Sequence, residues 1–449
     1  MANTTLTRNA TSIGDTQKGT YSCWIKRGDL SREQMIFTWY GDSGNYQFHI
    51  EFESDDKLEI KSWDYNTTDL RLVTNRQFRD TNAWYHIVAK VDTTQSTASD
   101  RVRLYINGVE ETSFATSNYP SQNHAMQMNG ANTTDPRIGS HDASNRFFNG
   151  SMSHLHWCDG YAYDASAFGS QDATTGEWKI NTSPNVQYGT NGFFILKDGN
   201  SVTDQSPNTN NFTVAGGTLT KTEDNPSSVF ATLNPLNAVY ISFLQGNNTI
   251  SGGNNGTDFS YIGSTLAANS GKFYWEVKAA DLAEIDQVGV ALASSGFSNI
   301  GTSHGLQGTQ YGGKGVQFSN GYKVGDGSGG AYMGGFSTDD IMMVALDLDN
   351  TKITFGKNGQ WSNGSGGADQ TYANSTAAFT NLTAGEYYMP AHAMRGSGGN
   401  TGISRYNFGN GYFATTAVSS AGTNASNNGI FEYDVPTGFT ALSTKGLNL

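Results

Sequence analysis

The chain reads as short runs in which apolar side chains fall on every second residue, separated by turns of Asn, Asp and Gly. In residues 341–359, Val344, Leu346 and Leu348 alternate with Ala345, Asp347 and Asp349. An Asp-Asn turn follows, and Ile353 and Phe355 alternate with Thr354 until Asn358-Gly359 reverses the chain. A period of two bounded by turn residues predicts a hairpin with one buried face. The same grammar occurs earlier, where residues 88–92 lead to Val102, Leu104 and Ile106 alternating into Asn107-Gly108. Runs at 21–26, 46–53, 57–63, 84–89, 137–139 and 148–153 predict the antiparallel strands of one domain. Runs at 271–277, 288–292, 387–391 and 405–409 predict those of another. No segment sustains a helical period. The expected fold is all-β: two antiparallel β-sandwich domains, residues 1–158 and 236–410. Between them lies an irregular Gly/Asn-rich connecting segment, 159–235, that packs on the first sandwich, and a C-terminal extension, 411–449, follows them.

Composition supports two sandwiches. The 449 residues allow two domains of ordinary size, each with its own core. Aromatics reach 12% while all hydrophobic residues make up 36%, a balance suited to strands that bury rings between polar loops. With 54 Gly and 8 Pro, turns are made by Gly and Asn rather than by stiff linkers. A net charge of −13 without a Lys/Arg cluster repels a phosphate backbone, so no nucleic-acid partner is expected. Residues 1–14 hold no apolar run like a signal peptide, and no stretch is long and apolar enough to span a bilayer. A soluble protein made in a cytoplasm, without membrane insertion, is expected. Cys23 and Cys158 both lie in predicted strands, either paired or as two buried thiols.

Candidate chemistry is sparse. Glu51, Glu53 and Asp55 alternate and share a predicted strand face, and Glu284-Ile285-Asp286 is a second acidic run. Glycoside hydrolysis needs two carboxyl groups flanking the sugar bond, but both runs read more simply as solvated strand faces or turns, and no catalytic residue is assigned. His154, His156 and Cys158 alternate and suit zinc in type, but no fourth ligand lies near them. Asp347, Asp349 and Asn350 offer hard oxygens, but in an order that reads as an ordinary Asp/Asn turn. No metal and no cofactor is expected. Phosphate-cradling loops, nucleophile elbows and zinc-protease helices are absent from the sequence.

The order of pieces in the first domain resembles the concanavalin A-like jelly rolls of the laminin G and pentraxin kind. The resemblance is carried by Ser22-Cys23-Trp24-Ile25-Lys26, Trp84-Tyr85-His86-Ile87-Val88, Val102 to Asn107-Gly108, and Ile138-Gly139 followed by Phe148-Asn149-Gly150. In the second domain, residues 271–277, 288–292, the 341–359 hairpin, Tyr387-Tyr388-Met389-Pro390-Ala391 and Arg405-Tyr406-Asn407-Phe408-Gly409 resemble SPRY domains in order. The succession of lectin-like jelly roll, connecting segment with anchoring aromatics, and SPRY-like sandwich is similar to structural proteins of tailed bacteriophages.

That resemblance implies a non-enzymatic protein on the outer surface of a virion, synthesised in the host cytoplasm. It implies a tail fibre or receptor-binding component that binds host-surface glycan or protein, with capsid decoration or a head fibre as the alternative. A polysaccharide-degrading enzyme and a cellular adhesin are further alternatives. The partners implied are other virion proteins of the tail or capsid, a host-surface glycan, and further copies of the chain in a homo-oligomer. Rings beside polar or Gly-rich loops are the candidate ligand contacts: Trp39, Tyr40, Trp63 and Tyr65 in the first domain, and Tyr311, Tyr322, Tyr332 and Trp361 in the second. The simpler reading of the same rings is core filling, cover for the sandwich edge or packing against a neighbouring subunit.

Overall fold

The computed structural model describes every residue except 1, 2, 42, 43, 66, 198–200, 245, 254–257, 296–304, 307–311, 326–328, 397–400 and 449. Its chain divides into two compact units, Met1–Lys221 and Thr222–Leu449. Both are antiparallel β-sandwiches. No helix among the described residues is long and apolar enough to cross a membrane.

The first unit sets an eight-stranded sheet against a six-stranded one. Across the larger sheet the strands run Phe114–Asn118, Thr67–Gln77, Lys57–Asp64, Tyr46–Phe52, Gln34–Gly41, Asp135–Ile138, Thr5–Thr7 and Thr213–Gly216. Across the smaller they run Phe193–Ile195, Gly150–Asp159, Lys18–Arg27, Trp84–Asp92, Val102–Ile106 and Val109–Glu111. Alternation places Trp39, Phe48, Ile50, Phe52 and Ile60 of one sheet against Tyr21, Ile25, Ile87, Leu104 and Trp157 of the other, all in one core. The hairpin at Asn107-Gly108 has both turn residues at positive φ, 50° and 79°, as a two-residue turn matched to strand twist requires.

Residues after 158 complete this unit. Phe193–Ile195 adds an edge strand to the six-stranded sheet, and Ala165, Phe168, Val186, Tyr188 and Phe194 cover that sheet's outer face over Val88, Tyr105 and Cys158. Cys158 therefore faces this outer cluster, whereas Cys23 belongs to the core between the sheets. The two cysteines are free, buried thiols.

The second unit pairs a seven-stranded sheet with a nine-stranded one. Lys272–Asp281 lies between Gly402–Asn407 and Ile341–Asp347, and the predicted 341–359 hairpin forms with Ile341–Asp347 against Lys352–Lys357. Trp275, Val277, Val344, Leu346, Ile353, Phe355 and Tyr406 fill its core. The C-terminal extension lies on the outer face of the nine-stranded sheet. There Phe431, Val435, Phe439 and Ala441 join Tyr274, Met343, Ala345 and Trp361, and Thr440–Ala441 pairs in parallel with Phe273-Tyr274.

Candidate ligand-binding face

One broad face of the first unit is polar. In the eight-stranded sheet the side chains that point away from the core come from Thr38, Tyr40, Gln47, His49, Glu51, Glu59, Lys61, Trp63, Arg71 and Arg137, because their neighbours along each strand point inward. Register lines them up in rows. Tyr40 stands opposite Gln47, and Gln47 opposite Trp63. In the next row Arg137, Thr38, His49, Lys61 and Arg71 are successive cross-strand partners. A third row pairs Glu51 with Glu59.

The acids of this face are not solvated. Glu51 and Glu59 are buried, because residues from the loop after Ile138 and from the neighbouring strand reach over them. Arg146 bonds both Glu51 oxygens at 2.9 and 3.0 Å. Arg71 Nε donates to Glu59 at 2.5 Å and Nη2 to Glu53 at 3.4 Å, and His49 Nε2 lies 3.4 Å from Glu51 and 3.3 Å from Glu59. Burial and the adjacent Glu59 push the Glu53 carboxyl up to about 7. At Glu59 burial acts in the same upward direction, but hydrogen bonds from His49 and Arg71 outweigh it and hold the group down at about 2. His49, Glu51 and Glu59 are the described residues whose ligand atoms converge, within 4.8 Å of one another. Their carboxylates already hold guanidinium groups, so the arrangement is an ion network that ties the 139–149 loop to the sheet.

Beside it, Tyr40 is half-buried between Arg137, whose guanidinium lies 4.3 Å from the ring centroid, and the edge of His141. His141 Nε2 donates to the Gln47 amide oxygen at 2.8 Å. Burial, with His49 and Arg146 nearby, lowers His141 to about 4, so it is neutral at pH 7. Lys61 Nζ sits 5.3 Å from the Trp63 ring.

The structure separates the eight candidate rings. Tyr40 and Trp63 are half-buried on the polar face, and Tyr65, just past the strand end, is 56% exposed. Tyr322 is 44% exposed at an edge of the second unit. Three of the candidate ligand contacts are core side chains in place of exposed ones. Trp39 points the opposite way from Tyr40 and is fully buried against Phe37 and Trp157. Tyr332 is buried, with its hydroxyl donating to Thr376 O at 2.6 Å. Trp361 is buried against Tyr274 and Tyr372 in the cluster covered by the C-terminal extension. Tyr311 lies outside the described residues.

The acidic and metal motifs also resolve. The reading of solvated strand faces fails at Glu51 and at Asp286, which is wholly buried with its carboxylate 2.5 Å from His392 Nε2. His154 falls in a bulge between Ser153 and His156, while His156 bonds the Tyr188 hydroxyl and stacks on Phe194. Asp347 accepts from the backbone and side chain of Asn350 and lies near Lys272 and Lys352, the pattern of a closed turn.

Residues 2–166 match the family model described as the concanavalin A-like lectin/glucanases superfamily. The match covers most of the first unit and supports a concanavalin A-like, laminin G-like domain there. No curated protein is similar to the chain at a significant level. Among solved structures, the SPRY domain of human HERC1 is similar at 18% identity and a TM-score of 0.31, over 39% of this chain and 96% of that one. The TRIM65 PSpry domain is similar at 16% identity and 0.29, over 39% and 91%. A heptameric SAP-like pentraxin from Limulus polyphemus is similar at 16% and 0.30, over 44% and 87%.

Proposed function

We propose that the chain is a non-enzymatic surface protein of a tailed-bacteriophage particle that binds a glycan or protein on the host cell. One observation carries the reading: beside the buried Thr38, His49, Glu51 and Glu59, the larger sheet of the lectin-like unit keeps Tyr40 and Trp63 half-exposed together with Gln47, Lys61 and Arg137. The unit's other sheet, in contrast, has its outer face covered by the unit's own later residues. A face of this kind offers flat apolar surface bordered by donors and acceptors, the combination sugar recognition uses. The buried acids argue for binding rather than hydrolysis. Glu51 and Glu59 are covered by arginines, so neither presents an open carboxyl to a scissile bond. Other virion proteins and further copies of the chain would then be its structural partners.

The test is adsorption competition. Purified full-length protein is added in excess to host cells, its binding is quantified, and the attachment rate of phage is followed. Binding with slowed attachment supports a receptor-binding tail component. Absence of both removes the host-recognition role and leaves decoration of the particle as the reading to pursue.

A further inference from the structure

The polar face is asymmetric in charge. Its acids are engaged: Glu51 by Arg146, Glu59 by Arg71 and His49, Glu53 by Arg71. Asp142, on the loop beside Tyr40, spends its oxygens on Ser144 and Asn145 of its own turn. Two cations in the central row have no such partner. Among the described residues neither Arg137 nor Lys61 meets a carboxylate. Each instead lies over an aromatic ring, Arg137 over Tyr40 and Lys61 over Trp63.

Register fixes their spacing. Arg137, Thr38, His49 and Lys61 are successive partners across four strands, so the Cα atoms of the two cationic residues stand about 14 Å apart at about 4.8 Å per strand, with Thr38 and His49 buried between them. Gln47 lies between the two rings in the adjoining row, its amide oxygen accepting from His141 and its amide nitrogen donating to Gly44 O, which leaves one N–H. Each ring restrains its cation, so less side-chain freedom is lost when an anion binds. An arriving anion would displace no existing ion pair. Two restrained, unpaired cations on one face of a chain with a net charge of −13 mark a local site against the overall field.

We propose that this face binds an acidic polysaccharide, with carboxylate or sulfate groups several sugars apart along the polymer taken by Arg137 and Lys61 and an intervening hydroxyl by the remaining N–H of Gln47. The inference rests on the reading of this face as a ligand-binding surface and adds the chemical class of the ligand.

The test uses the immobilised full chain and three polymers: polygalacturonate for carboxylate, dextran sulfate for sulfate and dextran as the neutral control. Wild type is compared with R137Q, K61Q and the double variant, and with K221Q as a control matched in charge to each single variant. Circular dichroism checks the fold of each; should the double variant be altered, the single variants carry the comparison. Binding of one or both acidic polymers but not dextran is expected, weakening as salt rises. The double variant should bind at least about tenfold more weakly and K221Q as wild type. Polygalacturonate alone would identify a carboxylate ligand, and dextran sulfate alone a sulfated one. Equal binding of dextran, or a double variant no weaker than K221Q, would overturn the proposal. If host cells bind the protein but no acidic polymer does, the charge-based inference falls and the recognition role stands. If neither binds, both fall.

Discussion

Trp178 Nε1 donates to His86 Nδ1 at 2.9 Å, and the two ring planes lie within 18° of each other with centroids 6.0 Å apart. The bond fixes the histidine's tautomer. With Nδ1 accepting, Nε2 carries the proton and donates to Ser22 Oγ at 2.9 Å, while Trp24 stacks on the ring at 4.9 Å. A strand of the six-stranded sheet is thereby tied to the segment after residue 158. Trp178→Phe leaves a buried acceptor unmatched and should cost about 1 to 3 kcal/mol in urea unfolding of the full chain. Gly108→Ala should act on the same contact, because an added Cβ would lie 2.3 Å from the Trp178 ring on a backbone at φ +79°.

Acid should loosen the first unit. Burial lowers His86 to about 3, lowers His141 to about 4 and lowers His156 well below the usual value. Below the ordinary pKa of 6.5 the unfolded chain takes up protons that these native rings refuse, so their contribution to stability falls as pH drops from about 6.5 towards 3. Melting temperatures measured across that range on wild type and His86→Gln should differ in slope, with the variant less sensitive to acid.

A buried carboxylate adds to the apolar contacts that hold the C-terminal extension. Glu276 accepts backbone N–H groups of Glu432 and Tyr433 at 2.9 and 2.8 Å, the Tyr274 hydroxyl at 2.9 Å and the Asn407 amide at 3.2 Å. Glu276→Gln turns one acceptor into a donor facing other donors. It should cost about 2 to 4 kcal/mol and raise protease cleavage within residues 411–435. Burial raises Glu276 to about 7. The native state therefore gains from its protonation as pH falls from about 7 towards 4.5, and that gain should vanish in the variant.

Arg146 is the loop's anchor to the sheet. Arg146→Met leaves Glu51 buried without its cation and should destabilise the first unit by about 2 to 3 kcal/mol, below the figure for a fully enclosed pair because Arg146 is partly exposed. Incubation with host-envelope polysaccharide should release no new reducing ends from wild type or from Glu51→Gln.

How much of this was legible in the sequence differs from one residue to the next. The runs ending in Asn107-Gly108 and Asn358-Gly359 were readable because period and turn chemistry agree over a few residues. The strand Thr67–Gln77 was not, since Leu70, Leu72 and Val73 are its only large apolar residues and its polar edge gives no clean alternation. Trp39 and Tyr40 looked alike as candidates, and only the pairing register shows that one faces the core and the other the polar surface. Tyr332 and Trp361 lie among glycines that suggest open loops, yet partners at Thr376 and Tyr372, and a cover from the C-terminal extension, bury them. The Arg137 and Lys61 row was invisible because the strands that bring these residues together are far apart along the chain.

The polar face of the first unit is proposed to recognise a cell surface. The measurement that tests it most directly is equilibrium binding of fluorescently labelled full-length protein to host cells, with a Tyr40→Ala/Trp63→Ala double variant of verified fold alongside. Saturable binding by wild type and at least about tenfold weaker binding by the variant are expected. Absence of saturable binding, or equal binding by the two proteins, would contradict it.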